Sequence, residues 1–197
     1  MERVILARHG ESVFSARRLV NGDIAAPGPL TPRGREEAKA LARALATEPI
    51  HLCATSEFER TRETADLALA GRDVPRLVLA DLNDPLYGGY EGGALEDYRA
   101  WAASVGSDAT APGGGESRHA IVARYVSGFR ELRERDEATV LAVVHSLPIA
   151  YLLAAEQGDP PGRRVPLVEH AHPYPFAAGE VDRALEVLDS WLGAPTW

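Results

Sequence analysis

The chain has 197 residues, 45% of them hydrophobic and 25% charged, a balance that suits one globular domain with a normal core. Its formal net charge of -8 argues against general nucleic-acid binding, which needs a basic face to neutralise phosphates. The single cysteine, Cys53, excludes a disulfide within the chain, and no apolar run approaches the roughly 18 residues of a membrane helix. No membrane partner is expected, and the expected compartment is the cytoplasm.

In chain order, "RVILARHGES" opens with a buried strand over residues 3–7. The strand runs into Arg8 and His9, and Gly10 turns the chain. Residues 20–30, "VNGDIAAPGPL", read as a loop. A helix follows over 32–46, with Thr31 as cap, Pro32 at the first position and Ala38, Leu41, Ala42 and Leu45 as its apolar stripe. A strand over 50–54 contains Cys53, read as core filler rather than a nucleophile. A helix over 57–70 is predicted with a capping box of Ser56 and Glu59, ending at Gly71. A strand over 77–80 and a Gly/Pro-rich loop over 105–116 come next. A helix over 116–134 carries Ile121, Val122, Tyr125, Val126, Phe129 and Leu132 on one face. The strand "TVLAVV", 139–144, leads to His145 and a further helix, with Ser146 as its cap and Gly158 as its end. Residues 158–166 are a loop, and a last helix covers 181–192.

Strands alternating with helices imply an α/β fold: a three-layer sandwich whose mostly parallel central sheet carries helices on both faces. Residues 1–197 form a single domain, with a small cap or insertion at about 84–116. Tyr98 and Trp101 fall in that insertion, as lid or as its core.

Ligands of such sheets bind beyond the carboxyl ends of the strands. Arg8, His9 and His145 all lie there, and Arg60 sits in the first turn of a helix that follows another strand. A helix N-terminus favours anions, and an arginine fork suits phosphate oxygens. The set suits a phosphoryl group and lacks carboxylates spaced for a metal. A neutral histidine could attack phosphorus while the cations spread the transition-state charge. The leaving oxygen needs an acid, and "DLNDPLYGGYEGG", residues 81–93, supplies Asp81, Asp84 and Glu91. His170 and His172 in "EHAHPYPF" would face one side of a strand, but a pocket wall is preferred to a metal site there. Arg17 and Arg18 could meet a charged substrate or simply face solvent.

The chain resembles the histidine phosphatase superfamily, also called the phosphoglycerate mutase-like family. "RHGES" resembles its signature, and "PLTPRGREEAKALARAL", "TSEFERTRETA", "GGYEG", "GGES" at 114–117 and "VLAVVHS" follow in the family's order. The likeness covers roughly residues 3–156. It implies phosphatase-branch chemistry without metal or cofactor: His9 becomes phosphohistidine, and Arg8, Arg60 and His145 hold the phosphoryl oxygens. Ser15, Asn21, Gly22 and Ser146 join the phosphate-binding set. The family's proton donor is a glutamate eight residues before the glycine of the aromatic-Glu-Gly run. Counting back from Gly92 reaches Asp84, with Glu91 and Asp81 as reserves. Two further departures are Ser15 where the family has asparagine, and Ser146-Leu147 where it favours two glycines after the histidine.

The expected function is hydrolysis of a small phosphorylated substrate. A mutase is the weaker reading, because "NDPLYGG" stands where such mutases carry a Glu-Arg-x-Tyr-Gly stretch. A catalytically weak member that binds a phosphorylated ligand is the third. The physiological substrate and the oligomeric state stay open, a homodimer included.

Overall fold

The computed structural model describes residues 1–197. Five strands form one sheet: β1 (Arg3–Arg8), β2 (Leu52–Thr55), β3 (Arg76–Val78), β4 (Thr139–Val144) and β5 (Pro173–Ala177), in the order β3-β2-β4-β1-β5. The first four run parallel, and β5 pairs antiparallel with β1. Every residue of β2 and β4 is buried, as expected for central parallel strands covered on both faces.

The helices are α1 (Val13–Ala16), α2 (Pro32–Ala44), α3 (Glu59–Ala68), α4 (Leu95–Ser104), α5 (Arg118–Arg133), α6 (Ser146–Glu156) and α7 (Ala178–Gly193). Alternation along β1 divides the core. Val4 and Leu6 join a large cluster with Tyr125, Phe129, Tyr151, Leu188 and Trp191 of α5, α6 and α7. Ile5 and Ala7 point the other way, into a smaller cluster with Leu41, Leu45, Ala65 and Leu69 on the α2–α3 side. This is the three-layer, mostly parallel sandwich that the strand–helix alternation predicts. A third small cluster packs Val20, from the loop after α1, against Tyr87, Tyr98, Ala102 and Ala111 of the stretch between β3 and α5, and is separate from the two clusters on the sheet faces. No helix is long and apolar enough to cross a membrane.

The differences from the sequence reading have local causes. Thr31 caps α2 and Pro32 opens it as expected. Ser56 does not cap α3, which starts at Glu59 after Phe58 without a side-chain cap; the Ser56 hydroxyl turns instead toward His145 and Thr61. Ser146 does not cap α6 either, because its hydroxyl accepts the Val168 N–H at 3.1 Å. Helix α7 begins at Ala178, with the Glu180 carboxylate accepting the Ala177 N–H at 2.7 Å. Strand β5 escapes the pattern search because Pro173 and Pro175 break it, yet an edge strand tolerates proline. Helix α4 escapes it because no polar cap precedes Leu95.

The turn after β1 is fixed by two glycines in close approach. A Cβ on Gly10 would lie 2.4 Å from the Gly34 carbonyl oxygen, and one on Gly34 would lie 2.1 Å from that of Glu11. Gly10→Ala or Gly34→Ala should destabilise the chain by about 1–3 kcal/mol through overpacking. Thermal midpoints measured by calorimetry should fall by roughly 2–4 °C for each kcal/mol. An unchanged midpoint in both variants would show that this turn repacks freely.

Candidate active site

The three central strands end level with one another. Arg8 pairs with Val144, and the His9 N–H extends the ladder to the Val144 carbonyl at 3.0 Å. Thr55 ends β2 beside Val143. His9, His145 and Ser56 therefore leave the sheet at one edge, and Arg60 enters from the first turn of α3. His9, Arg60 and His145 are all buried, at 4%, 3% and 0% exposure. Such burial of polar groups is tolerable only with hydrogen-bonded partners.

His9 has an assigned proton. Its Nδ1 lies 2.7 Å from the Gly10 carbonyl oxygen, which can only accept, so Nδ1 carries the hydrogen. Nε2 is then a lone pair, and the Arg60 Nε–H donates to it at 3.3 Å. Burial holds His9 well below the ordinary histidine value, and Arg60, His145, Arg8 and His170 push the same way. The ring is therefore a neutral imidazole at neutral pH, with its free nitrogen in the polar centre of the site.

Arg60 joins the other residues. It donates to the Asn21 side-chain oxygen at 2.6 Å, the Asn21 carbonyl at 3.0 Å and the Asp84 carboxylate at 3.0 Å. Its guanidinium carbon lies 4.1 Å from the centre of the Phe58 ring. Asp84 keeps only 18% of its side chain exposed, and burial raises its pKa against the attraction of Arg60 and Arg8. Burial also lowers that of Arg60, so desolvation pushes both partners of the pair toward neutrality while their attraction opposes it.

His145 lies with Nδ1 3.5 Å from Asp84 and Nε2 2.8 Å from the Ser56 hydroxyl. The Arg60 guanidinium, which can only donate, meets Nδ1 at 3.4 Å, so Nδ1 accepts and the proton on Nε2 donates to the Ser56 hydroxyl. Burial keeps this ring neutral too, with Arg60, Arg8 and Arg124 adding to the effect. Arg8 donates through one terminal nitrogen to the Val168 carbonyl at 2.8 Å, while its buried Nε has no partner. Burial brings its pKa down to about 10, so it stays cationic.

The remaining sequence candidates divide. Arg8, His9, Ser15, Asn21, Arg60, Asp84 and Ser146 line one cavity, with His145 behind it. The Ser15 hydroxyl is engaged with Ser12 in the cap of α1. Asn21 orients Arg60. Gly22 does not line the cavity; its N–H donates to Glu91 at 2.9 Å, which corrects its place in the phosphate-binding set. Glu91 also accepts from the Tyr87 N–H at 2.8 Å, so this reserve acid is engaged in holding loops together. Asp81, the other reserve, stands off the wall on the turn beneath α5. His170 faces the cavity and meets the His9 carbonyl through Nδ1 at 2.8 Å, whereas His172 is exposed beside Glu169. Those two histidines do not converge. Arg18 reaches the cavity and pairs with Glu96, while Arg17 is exposed.

Sequence reasoning missed the contacts of Ser56, Thr64 and Arg118. Thr64 accepts the Gly10 N–H at 2.9 Å and donates to the Arg60 carbonyl at 2.7 Å, tying the two halves of the site together. Its spacing four residues after Arg60 on α3 was the available signal.

The family model of the histidine phosphatase superfamily (branch 1) matches residues 4–171, and the chain belongs to that superfamily. Among curated relatives, an adenosylcobalamin/alpha-ribazole phosphatase of Salmonella typhi is 35% identical over 167 residues, covering 77% of this chain and 80% of that protein. The protein of the same name from Salmonella typhimurium is 43% identical over 89 residues, which is 45% of this chain and 43% of that one. A solved structure described as a putative alpha-ribazole-5'-P phosphatase from Escherichia coli superposes with a TM-score of 0.71 at 31% identity, over 81% of each chain.

The buried neutral histidines fix a pH dependence. His9, His145 and His170 are all held below the ordinary histidine value, mainly by burial. The unfolded chain thus binds more protons than the folded one as pH falls below about 6.5, and stability is lost on acidification. Asp84, raised above 3.8, acts with the opposite sign: its contribution falls as pH rises through its folded value. Unfolding free energy from denaturant titration should drop between pH 7 and pH 5, by up to about 1.4 kcal/mol per pH unit for each histidine. His9→Gln should flatten that slope, and an unchanged slope would contradict a neutral buried His9.

Proposed function

We propose that the chain hydrolyses phosphomonoesters of small organic alcohols through a phosphohistidine on His9. The observation that carries this reading is the His9 Nε2 lone pair, held facing the Arg60 guanidinium in the same cavity as Arg8 and Asp84. A nucleophile needs no separate base when its own nitrogen is already unprotonated.

In the first step Nε2 attacks phosphorus and the ester P–O bond breaks. Arg8, with its unpartnered Nε, and Arg60 receive the phosphoryl oxygens, with the neutral His145 ring behind them. Asp84, whose pKa is raised by burial, gives its proton to the leaving alkoxide. In the second step water attacks the phosphohistidine, Asp84 accepts a proton from it, and the P–N bond breaks to restore neutral His9 and inorganic phosphate. Charge is balanced throughout by side chains, so the cycle calls for no metal. The match to proteins named alpha-ribazole phosphatases makes alpha-ribazole 5'-phosphate a substrate to assay first. Ser15 and Ser146, already engaged through their hydroxyls, contribute polar cavity wall beside the phosphoryl site.

Two measurements test the cycle. Hydrolysis of 4-nitrophenyl phosphate should survive excess chelator and vanish in His9→Ala; loss with chelator, or turnover without His9, contradicts the proposal. Asp84→Asn should lower kcat by about 10²–10⁴ on alkyl phosphates, whose alkoxides need a proton, and far less on 4-nitrophenyl phosphate. Equal slowing on both would remove Asp84 from the role of acid.

A further inference from the structure

The cavity extends beyond the phosphoryl site, and its outer wall is cationic. Besides Arg8 and Arg60 it carries Arg18, Arg99, Arg118, Arg163 and Arg164, against one carboxylate, Asp84. This concentration of positive charge stands in a chain whose formal net charge is -8. Most of these outer arginines are accounted for. Arg18 and Arg99 share Glu96, Arg99 also binds the Val165 carbonyl, and Arg163 donates to the carbonyls of Ala103 and Val105. Arg163 and Arg164 are exposed, so water solvates them.

Arg118 differs from all of these. It is half-buried at the start of α5, among the buried side chains of Ser117, Tyr98 and Tyr151. No ion pair of the chain includes it. Its hydrogen-bonded partner is the neutral Tyr151 hydroxyl at 3.1 Å, and its guanidinium carbon stands 5.8 Å from the centre of the Tyr98 ring. Nearly two turns further along the helix, Arg124 shows what a satisfied arginine looks like here, bound at both ends of the Glu116 carboxylate at 3.0 and 2.9 Å. A partly desolvated guanidinium with only neutral partners is short of an anion.

Aromatic rings stand beside it in the cavity wall. Tyr87 lines the cavity next to Asp84 in the chain order of the site, and its ring lies 4.6 Å from that of Tyr98. Arg118 stands beyond Tyr98. Arg118 and the phosphoryl residues thus line one cavity, whose wall also carries the Tyr87 and Tyr98 rings. An aromatic body between the two charges of a ligand would meet the Tyr87 and Tyr98 rings on that wall.

We propose that Arg118 is a specificity-determining residue: it binds a second anionic group, carboxylate or phosphoryl, carried by the substrate at the far end from the scissile phosphate. The proposal deepens the hydrolase reading and rests on it for the identity of the first anion. It defines the substrate class as phosphomonoesters with two anionic ends joined by a compact, partly apolar body.

The test measures binding rather than turnover, so that it stands apart from the catalytic cycle. His9→Ala protein is titrated calorimetrically with 4-(carboxymethyl)phenyl phosphate and with its neutral isostere, 4-(carbamoylmethyl)phenyl phosphate. The carboxylate should bind at least about tenfold more tightly, as a charge-assisted hydrogen bond allows. In the His9→Ala/Arg118→Met protein the ratio should fall to near one, and Arg118→Lys in the same background should restore part of it. Equal affinities in His9→Ala protein overturn the proposal without recourse to the second variant. A preference that persists in Arg118→Met overturns the assignment to Arg118. A preference that depends on Arg118, together with failure of the unsubstituted protein to hydrolyse either ester, upholds the second-anion site and refutes the hydrolase reading alone.

Discussion

Arg60 is the charge around which the rest of the site is built. A guanidinium at 3% exposure has lost nearly all its water, a cost of several kcal/mol for an ion without compensation. The chain compensates with the Asn21 side chain and carbonyl, the Asp84 carboxylate, the Phe58 ring face and the His9 nitrogen. Each of these comes from a different segment, so the arginine can be held only when the loops over 20–30 and 81–93 and the turn after β1 are all in place. The same cation then acts on its neighbours. It adds to the burial that keeps His9 and His145 neutral, and offsets part of the burial that raises the Asp84 pKa.

Acid and base roles at neutral pH follow from this opposition. Burial alone disfavours every ion in the site, which neutralises histidines by removing protons and carboxylates by adding them. His9 is thereby left with a lone pair and Asp84 is moved toward holding a proton, as a nucleophile and its acid require. The sheet contributes the geometry. Because β1, β2 and β4 are parallel and in register, their next residues emerge side by side, and α3 and α6 begin at the same edge.

The parts of the site legible in the sequence were those set by local rules. Arg8, His9 and His145 each follow an apolar run, and Arg60 follows one at a helix start, so their common edge could be read from alternation alone. Partners brought together from far along the chain could not. Ser56 looks like a helix cap by spacing, but His145, 89 residues away, takes its hydroxyl. Gly22 looks like a phosphate-facing amide, but Glu91, 69 residues away, takes it. The same limit hides Arg118, whose importance lies in the anion it lacks. For the fold, β5 was hidden by its prolines and α4 by its uncapped start, while the apolar stripes of α2 and α5 made those helices plain.

In the proposed cycle Asp84 stands where the resembled family carries a glutamate, and the backbone around it is tightly held. A short acid has little reach of its own, so its placement depends on the backbone that carries it. Asn83, the preceding residue, is bound to Glu57 by two hydrogen bonds, from its amide at 2.7 Å and to its carbonyl oxygen at 2.9 Å. Arg124 holds the carbonyls of Asp81 and Asn83 at 2.8 and 2.9 Å. On the other side Pro85 lies so close to Gly22 that a Cβ there would come within 1.8 Å of the Pro85 carbonyl oxygen. The residues flanking Asp84 are therefore pinned to the start of α3, to α5 and to the loop over 20–30. Glycine at position 22 serves this approach rather than phosphate binding. Glu91, which already bridges Gly22 and Tyr87, cannot take the acid's place without releasing the same clamp. The short acid and the tight loop are one arrangement, with each making sense of the other.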